Sequence, residues 1–261
     1  MRESSDNGMS VEEFLSSLMK GRKLKEYRFD PCAVSPKDNQ ACFRIPCHPP
    51  EVWGCGVTYT RSRHARETET SVKGIYDRVY DAMRPEVFLK ATAERCVGPN
   101  EPVCIRSDSK WTVPEPELAF VSGMNNEIAG YTIGNDVSAR DIEGENPLYL
   151  PQAKTYKGCC AVGPIIATPM EIENPRNLDI ECRVFRGKDL VFTGKTSTSQ
   201  MKRSLDELNS YLCRDNIIPI GALCLTGTGI VPPDDFSLRN GDFVEITIEG
   251  IGTLRNSVLQ L

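Results

Sequence analysis

The sequence predicts an α+β fold that is mainly β: a mixed β-roll or barrel-like domain preceded by a small N-terminal region. From residue 111 onward, short apolar stretches are separated by turns rich in Gly and Pro, with only one amphipathic helix among them. The regular alternation of strands and helices that indicates a parallel βαβ array is missing. We therefore expect a small N-terminal region or connector at residues 1–50 and one main domain at residues 51–261.

The first part of the chain predicts two helices and two strands. Residues 10–20 predict a short helix with a Ser N-cap and a Glu three residues later. Residues 30–50 are rich in Pro and Cys and predict a connector. A strand begins at VWGCGVTY. Apolar residues from Val72 to Met83 then recur at helical spacing, so they predict a second helix, which Pro85 ends just before the strand VFLKAT.

The second part predicts mainly strands. Met201, Leu205, Leu208 and Leu212 repeat at helical spacing and predict one further helix. The tail DFVEITIEGIGTLRNSV alternates apolar and polar residues, which is typical of strands. The other predicted strands are ELAFV, EIAGYTIG, CCAVGPIIATP, LDIECRVFR and DLVFTG.

Composition excludes several classes of function. The net charge of -5 gives no electrostatic footprint for nucleic acid or an anionic membrane. No apolar run approaches the ~20 residues of a transmembrane helix. The stretch MRESSDNGMS lacks the apolar core of a signal peptide, so we expect a cytoplasmic protein.

Cysteine and histidine offer little for catalysis. The eleven cysteines are odd in number and form no CxxC pair. A zinc site from Cys32, Cys42, Cys47 and Cys55 would need irregular spacings, so small buried thiols are the plainer interpretation. With only two histidines, a Ser/His/Asp or His-rich zinc mechanism has little to work with, and carboxylates must carry any metal.

The stretch WTVPEPELAFV places two glutamates on one face of a predicted strand. Glu115 and Glu117 are separated only by Pro116, and residues i and i+2 of a strand point the same way. Two like charges side by side repel each other, and a cation between them would remove that cost. Solvated acids at the end of a strand are the plain alternative.

A predicted hairpin brings a third acid to this pair. The link SGMNNE is typical of a tight loop, and a turn centred near Asn125 pairs residues whose numbers sum to about 250. Glu115 then lies opposite Asn135, next to Asp136. Three carboxylates without imidazole or thiolate favour a hard cation, Mg²⁺ or alternatively Ca²⁺ or Mn²⁺, and leave coordination positions open for water or substrate.

Two long stretches resemble the fumarylacetoacetate hydrolase superfamily. They are PEPELAFVSGMNNEIAGYTIGNDVSARDIEGENPLYLPQAKTYKGCCAVGPII and the tail TGTGIVPPDDFSLRNGDFVEITIEGIGTLRNSV, and the resemblance extends over residues 52 to 261. It implies a mixed β-roll catalytic domain with a divalent metal on Glu115, Glu117 and Asp136. It also implies action on 2-oxo acids or 1,3-diketones, which such a metal chelates and polarises.

One departure from the family pattern narrows the chemistry. The C–C hydrolases and decarboxylases of the family tend to carry a His and a Glu in a G-x-N-Y-x-x-H-x-x-E motif. Here the matching stretch GVTYTRSRHARE has Ser62 and Ala65 at those positions, and His64 is displaced by two. The water-activating pair is therefore absent from its place, although a helical lid could still deliver His64 or Glu67.

Other stretches resemble the branch of the family that contains 2-keto-3-deoxy-D-arabinonate dehydratase: GVTYTRSRHARE, RPEVFLKAT, VGPNEP and GENPLYLPQAKTY. This resemblance implies loss of water from a 2-keto-3-deoxy sugar acid to give 2,5-dioxopentanoate in pentose catabolism. Glu86 matches a glutamate of that branch and is expected to act as C3 base and then as hydroxyl-protonating acid. Lys154 matches a family lysine and is expected to assist, with its pKa lowered by the cation.

Further residues are predicted to contact substrate. Lys90 lies two past Phe88 on a strand, and Tyr59 and Arg61 precede the predicted lid. Arg140 either contacts substrate or braces Asp136 or the fold. The turn at residues 226–228 could hold a carboxylate through its N–H groups and hydroxyls. The predicted substrate set is Tyr59, Arg61, Lys90, Arg140, Thr226, Gly227 and Thr228.

Two other interpretations stay open at this point. One is an acylpyruvate or diketo-acid C–C hydrolase, or an oxo-acid tautomerase or decarboxylase, on the same metal platform. The other is a non-enzymatic metal-binding paralogue. The expected partner is a small 2-oxo acid, with no nucleic acid and no membrane, and family resemblance implies a homodimer or a dimer-based homotetramer. The region before the catalytic domain is expected to be shorter than in the dehydratase branch.

Overall fold

The computed structural model describes residues 40–261 and, before them, residues 17, 20, 28 and 29. Apart from residues 17 and 20, the helix predicted at 10–20 lies outside the described residues. No helix in the described part is long and apolar enough to cross a membrane. The strands are β1 (Arg28–Phe29), β2 (Gln40–Ala41), β3 (Glu51–Gly56), β4 (Glu86–Thr92), β5 (Cys96–Val97), β6 (Val103–Ile105), β7 (Thr112–Val113), β8 (Pro116–Ser122), β9 (Ile128–Asp136), β10 (Ser138–Ala139), β11 (Cys160–Ala167), β12 (Asp179–Arg186), β13 (Asp189–Ser197), β14 (Leu223–Leu225), β15 (Asp242–Ile248) and β16 (Gly252–Gln260).

Two mixed sheets form the body of the protein. Seven strands run in the order β4-β3-β14-β8-β9-β11-β5 and curl into a half-barrel, and five run in the order β13-β12-β15-β16-β6. The main core joins Leu118 and Ile133 of the larger sheet to Ile180 and Ile246 of the smaller one, all of them buried. The mainly β fold is confirmed.

The central hairpin of β8 and β9 differs from its prediction by one residue. The structure pairs Pro116 with Asn135, so Glu115 comes opposite Asp136, whose N–H donates to the Glu115 carbonyl at 3.0 Å. The shift arises at a bulge between Val121 and Ser122, where β9 carries an extra residue. This register puts all three acids on one face of the sheet.

The helices are short and lie outside the two sheets. Within residues 40–261 they are α1 (Thr60–Glu69), α2 (Ile75–Asp81), α3 (Arg140–Glu145), α4 (Leu150–Lys154) and α5 (Leu205–Cys213), with 3₁₀ turns at Ala93–Arg95, Met124–Asn126, Pro147–Tyr149 and Thr198–Gln200. Of these, α5 is the helix predicted from its leucine spacing, although Met201 lies before it.

The helix predicted from Val72 to Met83 is too long. Only Ile75–Asp81 is helical, and the side chains of Val72 and Met83 are 43% and 88% exposed. Glu67 explains the late start, because its carboxylate accepts hydrogen bonds from the N–H groups of Gly74 and Tyr76 and so caps the helix at residue 75. Within α2 the apolar positions are buried or half-buried and the positions between them, Asp77 and Arg78, are exposed, so the spacing marks the inner face of the helix but not its ends.

Candidate active site

Three buried carboxylates meet at one end of the half-barrel. Glu117 lies in β8, Glu115 just before it, and Asp136 ends β9; each is at most 4% exposed. One oxygen from each lies within 4.8 Å of the other two. The convergence predicted from the hairpin is confirmed, and the side chains offer only hard oxygen ligands.

Glu115 is held by three cations. Its Oε1 lies 2.7 Å from Arg66 Nη2, 3.0 Å from Lys154 Nζ and 3.3 Å from Arg140 Nε. Burial alone would raise the pKa of Glu115, but Arg66, Lys154 and Arg140 outweigh it and hold the pKa well below its usual range. This carboxylate is ionised and fixed in orientation before any metal arrives.

Asp136 is held by two lysines. Lys90 Nζ lies 2.6 Å from Oδ1 and Lys154 Nζ lies 3.0 Å from Oδ2. Lys154 also donates to Ser138 Oγ at 2.6 Å. Burial lowers the pKa of Lys154, but Asp136 and Glu115 reverse this and raise it. The fall expected beside a bound cation stays a prediction.

Glu117 is the carboxylate with the least positive surroundings. Its Oε2 accepts a hydrogen bond of 2.5 Å from the Gly227 N–H. Burial, then Asp136 and then Glu115 raise the pKa of Glu117 well above its usual range, against a smaller effect of Lys154. Glu117 is thus the group whose charge a bound cation would stabilise most.

The charged groups around the three carboxylates include more acids than bases, which a divalent ion would balance. The acidic groups are Glu69, Glu86, Glu115, Glu117, Asp136 and Glu143, and the basic groups are Arg66, Lys90, Arg140 and Lys154. The acids exceed the bases by two. With all six acids ionised, a divalent cation would balance the two excess negative charges, so this set fits Mg²⁺ or another hard divalent cation.

Glu86 faces the same cavity from the start of β4. It lines the cavity with all three ligands and Lys154. Burial, with a further contribution from Glu143, raises the pKa of Glu86 to about 7, although Lys154 and Arg66 oppose the rise. A carboxyl with such a pKa can both take and return a proton near neutral pH.

The position of Glu86 depends on Gly56. The two residues are paired across β3 and β4, and a Cβ on residue 56 would overlap the Glu86 carboxylate. We expect Gly56→Ala to displace that carboxylate and to lower kcat of the reaction proposed below about 100-fold. Calorimetry should find the Mg²⁺ affinity unchanged within about threefold, and a normal kcat in the variant would contradict the assigned position.

The cavity is nearly closed. Its volume is about 20 Å³, enough for an ion or one water. Helix α1 contributes Ser62 and Arg66 to the lining, and these are its only two buried side chains. A larger ligand therefore enters only after part of the lining moves.

Comparison with known proteins assigns the family. Residues 51–259 match the family described as "Fumarylacetoacetate (FAA) hydrolase C-terminal". The chain belongs to this family. The expected resemblance is thereby confirmed over the predicted catalytic domain.

The most similar relatives include dehydratases. A 2-dehydro-3-deoxy-D-arabinonate dehydratase of Saccharolobus solfataricus is 54% identical over 213 residues, covering 80% of this chain and 72% of the relative. A protein of Haloferax volcanii, named "Probable 2-keto-3-deoxyxylonate dehydratase", is 53% identical over 214 residues, covering 82% and 74%. A solved structure of 2-keto-3-deoxy-D-arabinonate dehydratase complexed with magnesium and 2,5-dioxopentanoate is 52% identical with a TM-score of 0.77, covering 83% and 75%.

Within this family fold, several predicted substrate contacts lie elsewhere. Lys90 is fully buried behind Asp136, where it also donates to the carbonyls of Val137 and Lys154. Arg61 is exposed on α1 and donates to the Val231 carbonyl at 3.3 Å. Neither side chain lines the cavity, so these positions give no support to direct substrate contact.

Tyr59 and Arg140 also lie behind the cavity lining. The Tyr59 hydroxyl is buried without a hydrogen-bond partner in the described part of the chain, and burial and then Glu117 raise its pKa. Arg140 donates to both carboxylate oxygens of Glu69, at 2.9 and 2.6 Å. Arg140 thus braces Glu115 and helix α1 rather than Asp136.

The three residues of the turn at 226–228 differ in whether they line the cavity. The Thr226 hydroxyl donates to the Leu118 carbonyl at 2.8 Å, and the Gly227 N–H is taken by Glu117. Gly227 and Thr228 line the cavity, whereas Thr226 does not. Of the three, Thr228 has the position best suited to contact a ligand.

Neither His64 nor Glu67 reaches the cavity. The His64 side chain is exposed, and the Glu67 carboxylate is used at the start of α2, where the Gly74 N–H in particular lowers its pKa. The positions of α1 that face the cavity are Ser62 and Arg66.

Sequence reasoning missed Arg66 and Glu143. Arg66 Nη1 lies 3.3 Å from Glu69 Oε2 and 3.2 Å from Glu143 Oε2, in addition to its contact with Glu115. The spacing of Ser62 and Arg66, four apart on a helix, could have indicated that Arg66 faces the same way. Nothing in the spacing could have indicated its three partners.

Substitution of Lys90 tests whether its buried ion pair with Asp136 stabilises the fold. We expect Lys90→Met to lower the free energy of unfolding of the metal-free protein by about 3 kcal/mol, because it leaves the buried Asp136 with one cation fewer. Urea unfolding measures this. Lys195→Met is the matched control. Lys195 is 74% exposed and its Nζ lies 3.5 Å from Glu181 Oε1, and the loss of such an exposed ion pair costs less than about 1 kcal/mol. Equal effects of the two substitutions would contradict a stabilising role for the buried pair of Lys90 and Asp136.

Proposed function

We propose that this protein is a divalent-metal-dependent dehydratase that removes water from a 2-keto-3-deoxy sugar acid. The substrate is of the 2-keto-3-deoxy-D-arabinonate type and the product is 2,5-dioxopentanoate. The observation that carries the proposal is a single cavity lined by the three clustered carboxylates, Lys154 and Glu86. It is supported by identities above 50% to dehydratases over most of the chain.

The residues that would hold the metal are Glu115, Glu117 and Asp136. A divalent ion on oxygen ligands supplies Lewis-acid polarisation of the 2-oxo acid, and Mg²⁺ fits this ligand set, with Ca²⁺ or Mn²⁺ as alternatives. Lys154 brings a fixed positive charge between Glu115 and Asp136. This charge stabilises the negative charge that develops on the C2 oxygen as C3 loses its proton.

Glu86 performs the proton transfers. As a carboxylate it takes a proton from C3, and as a carboxylic acid it returns that proton to the C4 hydroxyl, which leaves as water. Two further proton shifts convert the C5 alcohol into the aldehyde without gain or loss of other atoms. A pKa of about 7 makes both forms of Glu86 available at neutral pH.

The rival activities have less support. A C–C hydrolase, tautomerase or decarboxylase that relies on His64 would need that exposed side chain to turn inward from α1. A non-enzymatic metal-binding paralogue would not need a carboxyl with a raised pKa beside its metal ligands. The proposed dehydration uses Glu86 and Lys154 where they stand.

Assembly and location are part of the same proposal. The family resemblance supports association into a homodimer or a dimer-based homotetramer, and Leu148 at 83%, Met170 at 70% and Ile217 at 90% are exposed apolar side chains available to an interface. Light scattering after gel filtration tests this, and a monomer at micromolar concentration would contradict it. The cytoplasmic location expected from the sequence stays a prediction.

Turnover tests the function directly. Purified protein with Mg²⁺ and 2-keto-3-deoxy-D-arabinonate should yield 2,5-dioxopentanoate, followed by proton NMR through its aldehyde signal. Chelation with EDTA should abolish the reaction and added Mg²⁺ should restore it. Cleavage of an acylpyruvate without dehydration of the sugar acid would overturn the proposal in favour of the hydrolase.

A further inference from the structure

Glu143 presents an acceptor to the cavity that the proposed chemistry does not use. It lies on α3, is 4% exposed and lines the cavity beside Glu86. Its Oε2 is 3.2 Å from Arg66 Nη1, yet in the described part of the chain this oxygen has no hydrogen bond of good geometry. A buried acceptor that lacks a donor costs about 1–3 kcal/mol, so such a group indicates a place for a ligand's donor.

The chemistry of this end of the cavity limits what the ligand can be. A carboxylate accepts hydrogen bonds and offers none, so it matches a hydroxyl and mismatches a carbonyl or a methyl group. Glu86 stands in the same lining, so a second carboxylate on the ligand would meet two acids there. Arg66 and Lys154 are the facing cations, and both are already paired with protein carboxylates.

We propose that Glu143 selects the substrate by accepting a hydrogen bond from its terminal C5 hydroxyl. This inference rests on the proposed function and adds to it a specificity: a 2-oxo acid whose far end is an alcohol rather than a carboxylate or an alkyl group.

The C5 hydroxyl, which does not leave in the reaction, fits this role better than the C4 hydroxyl. The C4 hydroxyl must receive a proton to leave, which requires a donor. A carboxylate that is paired with an arginine is a good acceptor and a poor donor. Glu86 supplies the donor, and Glu143 holds the C5 hydroxyl of the substrate, whose oxygen becomes the aldehyde oxygen of the product.

Three probes that lack a C4 hydroxyl test the selection without turnover. They are 5-hydroxy-2-oxopentanoate, 2-oxopentanoate and 2-oxoglutarate, which differ only in whether C5 carries an alcohol, a hydrogen or is a carboxylate. Calorimetry on the Mg²⁺-loaded protein gives each affinity, referred to the open-chain keto form. We expect the alcohol to bind at least about 10-fold more tightly than 2-oxopentanoate, and 2-oxoglutarate to bind most weakly.

Variants in α3 distinguish a role of Glu143 in substrate selection from a purely structural role. Glu143→Ala should reduce the preference for the alcohol to below about threefold, and both Glu143→Ala and Glu143→Gln should tighten 2-oxoglutarate at least about 10-fold. Glu145→Gln, an exposed neighbour on the same helix, should keep the wild-type order. If the Ala variant does not fold, the Gln variant alone decides through 2-oxoglutarate.

The outcomes are separate from those of the function test. Unchanged discrimination in a folded Glu143 variant would overturn the selection, even if the protein dehydrates the sugar acid. Lost discrimination in the variants would support it, even if the substrate proves to be another hydroxylated 2-oxo acid. Tighter binding of 2-oxoglutarate than of the alcohol by the wild type would also overturn it.

Discussion

Glu86→Gln is expected to lower kcat for dehydration at least about 1000-fold, because the variant keeps the shape of the side chain but neither takes nor returns a proton. The Mg²⁺ affinity should stay within about threefold of wild type, since Glu86 is not among the clustered ligands. Glu173→Gln, an exposed acid outside the cavity lining, is the control and should turn over normally. Stopped-flow or NMR rates measure the effect, and a variant with near-normal kcat would remove Glu86 from the mechanism.

The raised pKa of Glu86 sets a pH profile with a definite sign. As the base, Glu86 must be ionised, so kcat/KM of the wild type should fall as pH decreases through the pKa of Glu86, which is about 7 without a metal and lower with a cation bound nearby. This limb should be absent from the residual activity of Glu86→Gln. The folded protein also holds a proton here that the unfolded chain has released above its ordinary pKa of 4.5. Stability of the metal-free protein therefore falls between about pH 4.5 and 7, and above pH 7 the variant should be more stable by at most about 3 kcal/mol.

Glu117→Gln should strongly weaken metal binding without weakening the metal-free fold. Glutamine keeps an oxygen for the Gly227 N–H, and the raised pKa of Glu117 means that this side chain is neutral without a metal. We expect the free energy of unfolding of the metal-free protein to change by less than about 1 kcal/mol. We expect the Mg²⁺ affinity to fall at least about 100-fold and turnover to fall at least about 1000-fold, because one of three anionic ligands is lost.

Two measurements check this variant. Urea unfolding in EDTA gives the stability, and calorimetry with Mg²⁺ gives the affinity. Asp189→Asn, an exposed acid in β13, is the control and should leave both unchanged. Wild-type Mg²⁺ affinity in Glu117→Gln would contradict the assigned ligand set, and a large loss of stability in EDTA would contradict a neutral Glu117.

Local sequence pattern and family resemblance together were enough to predict the three clustered carboxylates of the site. Glu115 and Glu117 share a face because of strand geometry, and Asp136 joins them because a short loop fixes the partner strand. The one-residue error in the register came from the bulge beside Ser122, which an idealised turn does not contain. Since Asp136 neighbours Asn135, the error left the identity of the three ligands unaffected.

The parts that sequence could not supply depend on distant contacts. Lys90 reads as a strand residue two positions past Phe88, and only the pairing of the folded sheets shows that its ammonium lies behind Asp136. Arg66 and Glu143 are 77 residues apart, and no local rule joins them. The helix expected from Val72 begins only at Ile75 for a related reason, because its start is set by Glu67 on a preceding helix.

The ion itself is the most direct test of the account. Crystals soaked with Mn²⁺ should give one strong anomalous peak among Glu115, Glu117 and Asp136, with oxygen distances near those of Mg²⁺ or Ca²⁺ sites, about 2.0–2.4 Å. Co-crystals with 2,5-dioxopentanoate should place the C1 carboxylate and C2 oxygen against the same peak. No peak between these three side chains, with or without the 2-oxo acid, would contradict the account.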